Sequence, residues 1–175
     1  SVRKGLVNQI EHLGRSFSAA TTDHYNLVRP GDIVYTKSPT GDFPLGVVKQ
    51  SRANESAIVS PLYDVFVPRR REIGTLVDFY FESPINARNY LRPLVQKGAK
   101  NTLSIANDEF LRGEITLPSD SDLVNRLATF IDEARQELDL LSLRVQRLNQ
   151  QKRGLMQKLL TGQWRLPAQE ETATA

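Results

Sequence analysis

Hydrophobic and polar positions follow two rhythms along this 175-residue chain. In the last third, apolar residues recur alternately every three and four positions. The series is Val124, Leu127, Ile131, Ala134, Leu138, Leu141, Val145, Leu148, Lys152, Leu155 and Leu159, with Lys152 its one polar member. A repeat averaging 3.5 residues predicts a long α-helix that lays one seam along a partner helix. Ser119-Asp120-Ser121-Asp122 supplies N-cap side chains and puts acid in the first turn, where the helix dipole favours it. Thr161-Gly162 and then Pro167 stop the helix. A rod of about 40 residues is roughly 60 Å long. A domain of about 118 residues is roughly 30 Å across, so part of the seam requires another long helix. Leu123 and Phe130 flank the seam near its start and are expected to dock on the chain's own domain.

Ahead of the helix the pattern shortens. Glycines and prolines separate β-rich runs at Asp32–Thr36, Leu45–Val48, Ala57–Val59 and Tyr63–Val67, which predicts a twisted, mixed sheet. Arg29-Pro30-Gly31-Asp32 is a turn that delivers the chain into a strand. Ile73, Leu76, Val77 and Tyr80 share a helical face, in a helix that Pro84 ends. A second short helix is expected from Ala87 to Gln96, and a strand at Glu114–Leu117 closes the domain before Pro118. The expected fold is therefore α+β (mixed α/β): a domain at 1–118, one long coiled-coil α-helix at 119–162, and a small polar tail at 163–175.

Charge sharpens the helix and says less about the domain. Residues 1–118 carry 15 Lys+Arg against 12 Asp+Glu, and residues 119–175 carry 8 against 8. Such a mild excess suits a DNA-binding face and suits many bland domains equally. Within the helix, Asp120, Asp122, Asp132, Glu133, Glu137 and Asp139 lie in the first half, against Arg126 and Arg135. Arg144, Arg147, Lys152, Arg153, Lys158 and Arg165 follow, with no acid among them. Two copies side by side in parallel would set like against like; antiparallel, acid lies along base. The same gradient also complements the helix dipole without any partner. An antiparallel pair would hold two globular units at a fixed spacing, which is what recognition of a split DNA site requires.

Chemistry-bearing residues are sparse. With no cysteine there is no disulfide scaffold and no thiolate metal site, and a reducing, cytoplasmic setting fits. His12 and His24 have no acid at zinc-ligand spacing, so no metal is expected. Neither a Ser-His-Asp spacing nor a glycine-rich phosphate loop is present. Asp78 and Glu82 share a helix face that reads as its wet side. No apolar run approaches the roughly 20 residues of a membrane span.

Four stretches resemble the DNA-specificity subunit of type I restriction-modification systems. They are Tyr25-Asn26-Leu27-Val28-Arg29-Pro30-Gly31-Asp32-Ile33-Val34-Tyr35, Ile58-Val59-Ser60-Pro61-Leu62-Tyr63-Asp64-Val65-Phe66, the segment Phe110–Pro118 as a last strand, and Gln151–Gly162 as the end of the family's conserved helix. Asp120-Ser121-Asp122 stands where that family often has Glu-Gln. The resemblance implies a C-terminal half: one target-recognition domain, lacking its front, and one of two spacer helices that pack antiparallel. It implies no catalytic residue in this chain and no cofactor of its own. AdoMet, ATP and Mg²⁺ would belong to the methyltransferase (M) and restriction (R) subunits that flank it on double-stranded DNA. If only this half is present, the helix partner is a second copy, in a homodimer.

Base contacts do not carry over from a family whose members read different sequences, so DNA-facing residues are ranked from their own chemistry. Lys37 and Thr40 lie in a polar loop that also reads as an ordinary turn. Lys97, Lys100 and Asn101 surround a glycine, and suit phosphate and adenine. Arg15 precedes a hydroxyl-rich run. Arg69, Arg70 and Arg71 form the densest basic run, a phosphate clamp or a solvated helix entry. The expected coiled-coil interface is Val124, Leu127, Ile131, Leu138, Leu141, Val145, Leu148, Leu155 and Leu159. Two other readings stay open: the recognition end of a single-chain restriction-methylation enzyme, and a coiled-coil dimerisation protein with no DNA role.

Overall fold

The β-rich runs pair with one another, and always antiparallel. The computed structural model describes residues 5–7, 23–97 and 103–165. Strand β2 (Ile33–Thr36) is central in a three-stranded sheet, between β3 (Val47–Gln50) and β5 (Tyr63–Phe66). Ile33 lies opposite Gln50 on one side and Phe66 on the other. Strands β1 (Asn26–Val28) and β4 (Ala57–Val59) form a two-stranded ribbon with Leu27 opposite Ile58. A second ribbon joins β6 (Gln96–Lys97) to β7 (Leu103–Ser104). The expected mixed sheet is therefore corrected to small antiparallel ones. Parallel pairing needs a crossover of a dozen or more residues, and the β2–β3 connection, residues 37–46, is shorter than that. Strand β3 starts later than its apolar run because Gly46, at φ +103, belongs to the turn and donates its N–H to the Phe43 carbonyl (3.2 Å).

Helix α1 (Arg71–Phe81) has two working faces. Ile73 and Leu76 face one apolar cluster. Thr75 and Asp78, both 1 % exposed, face strand β3. The sequence pattern located only the first. Helix α2 (Pro84–Leu91) begins earlier than expected: Ser83 caps it by accepting the Asn86 N–H, and Pro84 fills the first turn, where a missing N–H costs nothing. A 3-10 turn at Arg92–Leu94 absorbs Pro93.

The expected strand at Glu114–Leu117 is absent. Instead, a short helix α3 (Asn107–Arg112) is followed by extended chain with no pairing strand. Ile115 packs on the main core and Leu117 on the second cluster, so alternation arises there from two apolar neighbours without a ladder. Phe110, expected at the head of that strand, sits in α3 with its ring stacked on Phe66 (4.6 Å) and Tyr35 (5.0 Å), and with Tyr90 edge-on (5.6 Å). These rings, with Phe81, centre the main core.

The long helix α4 runs from Ser121 to Leu160. Asp120 caps it, its carboxylate accepting the Asp122 N–H at 2.9 Å. At the far end Gly162 takes φ +72, and Trp164 donates its N–H to the Lys158 carbonyl. By compactness the chain divides into Ser1–Asp132 and Glu133–Ala175. The first turns of α4 therefore belong to the same unit as the sheets.

Candidate nucleic-acid interface

The basic run Arg69-Arg70-Arg71 enters α1 beside the Arg29-Pro30-Gly31-Asp32 turn, and one buried side chain joins the two. Gln50 on β3 donates its amide N–H groups to the Gly31 and Arg71 carbonyls, each at 3.0 Å, and accepts the Thr75 hydroxyl on its oxygen. Every polar atom of this 3 % exposed amide is thereby engaged with a fixed partner, as burial demands. The turn is held separately. Gly31 adopts φ +92, and its N–H meets the Ser51 carbonyl. The Asp32 carboxylate accepts the Arg29 N–H at 2.8 Å. A Cβ on Gly31 would lie 3.7 Å from Cγ of Arg71, which measures how closely the two segments approach. Arg29, Arg69 and Arg71 are exposed and make no ion pair among the described residues. The segments that carry Arg29, Arg69 and Arg71 are thus brought together. Arg29 was seen in the sequence only as a turn residue, because its neighbour Arg71 lies 42 positions away.

Arg70, also exposed, makes contacts within the chain. Its guanidinium donates to Ser121 Oγ (2.6 Å) and Asn125 Oδ1 and pairs with Glu72 (3.4 Å), tying the start of α1 to the start of α4. The Glu72 carboxyl is held below the usual range, chiefly by its own backbone N–H and further by Arg70. Lys37 is likewise engaged: its ammonium lies 3.0 Å from the Asp64 carboxylate, which is largely buried. Thr40 is exposed, in a tight bridge with Phe43, its hydroxyl near the Ser38 carbonyl. The backbone of Lys97 lies in β6. Arg15, Lys100 and Asn101 fall outside the described residues.

Of the pair expected on a wet side, Asp78 is buried and Glu82 is exposed. Both carboxylates approach Lys49 of β3, Asp78 at 3.5 Å and Glu82 at 3.2 Å. Lys49 is almost fully buried, and burying its charge requires such partners. Tyr35, also buried, donates to the Leu45 carbonyl at 2.7 Å. Burial, and secondarily the nearby Asp64 charge, raise its pKa well above the ordinary value. Among the described residues, no group of three His, Cys, Asp or Glu is placed to hold a metal, and no helix is long and apolar enough to cross a membrane.

The seam of α4 divides in two. Val124 (2 % exposed) and Ile131 (7 %) form a cluster with Leu76, against which Ile73, Leu117 and Leu127 are packed. These three expected interface residues, Val124, Leu127 and Ile131, are covered by their own domain. Leu123 and Phe130, expected to dock there, are exposed instead. Arg70 holds Asn125, while Val124, Ala128 and Ile131 of the same turns are buried. From Leu138 onward the seam is bare, with Leu138 at 63 % and Leu148 at 55 %, and Leu141, Val145, Leu155 and Leu159 also exposed. Leu140 and Leu143 are exposed too, off the seam. Trp164 is half exposed, under the Lys158 ammonium at 4.3 Å.

Searches against protein-family models, curated proteins and solved structures found no match to this chain.

Proposed function

We propose that this chain is a non-catalytic DNA-specificity module, half of a type I restriction-modification specificity subunit. The observation that carries the reading is the Gln50-stapled corner, where Arg29, Arg69 and Arg71 make no ion pair among the described residues. Guanidinium groups held in this way suit the phosphates of duplex DNA. The two segments that carry the resemblance in the first half of the chain pair with each other twice, β1 with β4 and β2 with β5.

The bare seam supports the assembly. Six apolar positions from Leu138 to Leu159 span 22 residues, about 33 Å of helix. An antiparallel second copy would cover them and would hold two DNA readers apart. Leu140 and Leu143 lie off that seam, so a single partner helix leaves them uncovered. They suit a further helix, from a methyltransferase or restriction subunit. AdoMet, ATP and Mg²⁺ chemistry resides in those partners in this reading.

The test is binding to random-sequence duplex DNA across a salt series. Arg69→Ala with Arg71→Ala should weaken binding uniformly over sequences and reduce the salt slope by about 2. Absence of salt-dependent binding by the wild-type chain rejects the reading. The bare seam taken alone favours a second reading, a dimerisation protein with no DNA role, and that outcome would leave it standing.

A further inference from the structure

Helix α2 presents a face that neither the core nor the Arg29/Arg69/Arg71 corner accounts for. Its inward side is apolar, with Ala87 and Leu91 buried. Its outward side carries Ile85, Arg88 and Asn89, and the 3-10 turn adds Arg92 at the next step. The spacing i, i+3, i+4, i+7 puts all four on one face, and all four are exposed. No acid occurs from Ser83 to Val95. Neither Arg88 nor Arg92 makes an ion pair among the described residues, and no hydrogen bond there engages the Asn89 amide. The contrast with Asn86 is informative, since its amide is held by the Tyr80 carbonyl at 3.2 Å. The platform is firm: Ser83 caps it, and the Tyr90 hydroxyl ties it to the Phe110 carbonyl at 2.7 Å. Ile85 is 70 % exposed, an apolar side chain left uncovered beside the cations.

Arginine, asparagine and an aliphatic group on one helix face are the three chemistries that read base edges in the major groove. Arginine pairs with the guanine O6 and N7 acceptors, asparagine with adenine N6 and N7, and an aliphatic group packs on the thymine methyl. An α-helix, about 10–12 Å across with its side chains, fits a groove about 12 Å wide. We propose that α2 is the base-reading element, inserted into the major groove of duplex DNA. Asn89 reads adenine, Arg88 reads guanine, Ile85 contacts a thymine methyl, and Arg92 holds the adjoining phosphate. This rests on the DNA-binding reading above and deepens it. The corner cations set affinity, and α2 sets sequence.

The experiment is selection from a randomised duplex pool by the full chain, followed by sequencing of the bound fraction. Wild type should enrich a motif. Asn89→Ala should lose discrimination at one adenine position by roughly 5- to 150-fold, and Arg88→Ala should do the same at a guanine. Arg69→Ala should keep the motif and weaken all sequences alike. The substituted side chains are exposed, so an unchanged thermal midpoint verifies the fold. If Asn89→Ala and Arg88→Ala enrich the wild-type motif unchanged, α2 does not read bases, and the DNA-binding reading survives. If wild type binds the pool without enriching any motif, base reading by α2 is overturned. If wild type does not bind the pool, both readings fall.

Discussion

The division of the α4 seam makes opposite demands on two aliphatic side chains of one helix. Leu141 lies on the bare part, half exposed, and Ile131 lies on the docked part, 7 % exposed. Burying the remaining half of a leucine side chain is worth about 1 kcal/mol. In a two-fold pair each substitution counts twice, so Leu141→Ala should cost about 2 kcal/mol of association, or about 30-fold in Kd. Leu141→Ala with Leu148→Ala should approach 1000-fold, on the order of 4 kcal/mol. Stability of the 5–132 part should be unaffected. Ile131→Ala should do the reverse. It opens a hole against Leu76 and should cost about 2–4 kcal/mol of folding stability while leaving association intact. Sedimentation equilibrium at micromolar concentration reads the first quantity and urea unfolding the second. A wild-type chain that is monomeric throughout, or an Ile131→Ala variant that dissociates while remaining fully stable, would refute the two-part seam.

Other substitutions test the frame around the corner. Arg70→Ala removes the contacts to Ser121, Asn125 and Glu72, all near the surface. It should lower the thermal midpoint by about 2–4 °C, with a smaller effect on DNA affinity than Arg69→Ala. Gly46→Ala would drive a Cβ into the Thr36 carbonyl at φ +103 and should cost about 3 kcal/mol by chemical denaturation. Tyr35 and Tyr90 both have raised pKa values, mainly through burial. Both stay protonated in the fold after the unfolded chain begins to ionise, so the stability they contribute is complete below about pH 10 and declines above it. Tyr35→Phe should flatten that alkaline decline in urea melts. At neutral pH it should cost about 1–2 kcal/mol, because the Leu45 carbonyl loses its donor.

The long helix and the basic corner differ in how far they could be read from residues alone. The span of α4 followed from its apolar period and its caps, because both are local: Asp120 and Gly162 act within a turn of themselves. The β2, β4 and β5 runs were legible for the same reason. Glu114–Leu117 misled because alternation records two apolar neighbours and says nothing about whether a strand lies alongside. The partners of Lys37 and Arg70 were not legible in the sequence, and Asp78 read as solvent-facing, because each partner lies tens of residues away. Asp64 is the partner of Lys37, Ser121 and Asn125 of Arg70, and Lys49 of the carboxylates.

Sequence by itself therefore determined where the long helix starts and stops, and that the chain carries one helical seam longer than its domain needs. Periodicity and capping are written in neighbouring residues. Only the tertiary structure decided which cations stand unpaired and which part of the seam is covered. Both depend on what burial brings together: Gln50 bridging Gly31 to Arg71, and Leu76 meeting Val124 and Ile131. A charge or a methyl group has no fixed role until its distant neighbour is in place, because Coulomb and dispersion energies are set by distance in space and not along the chain.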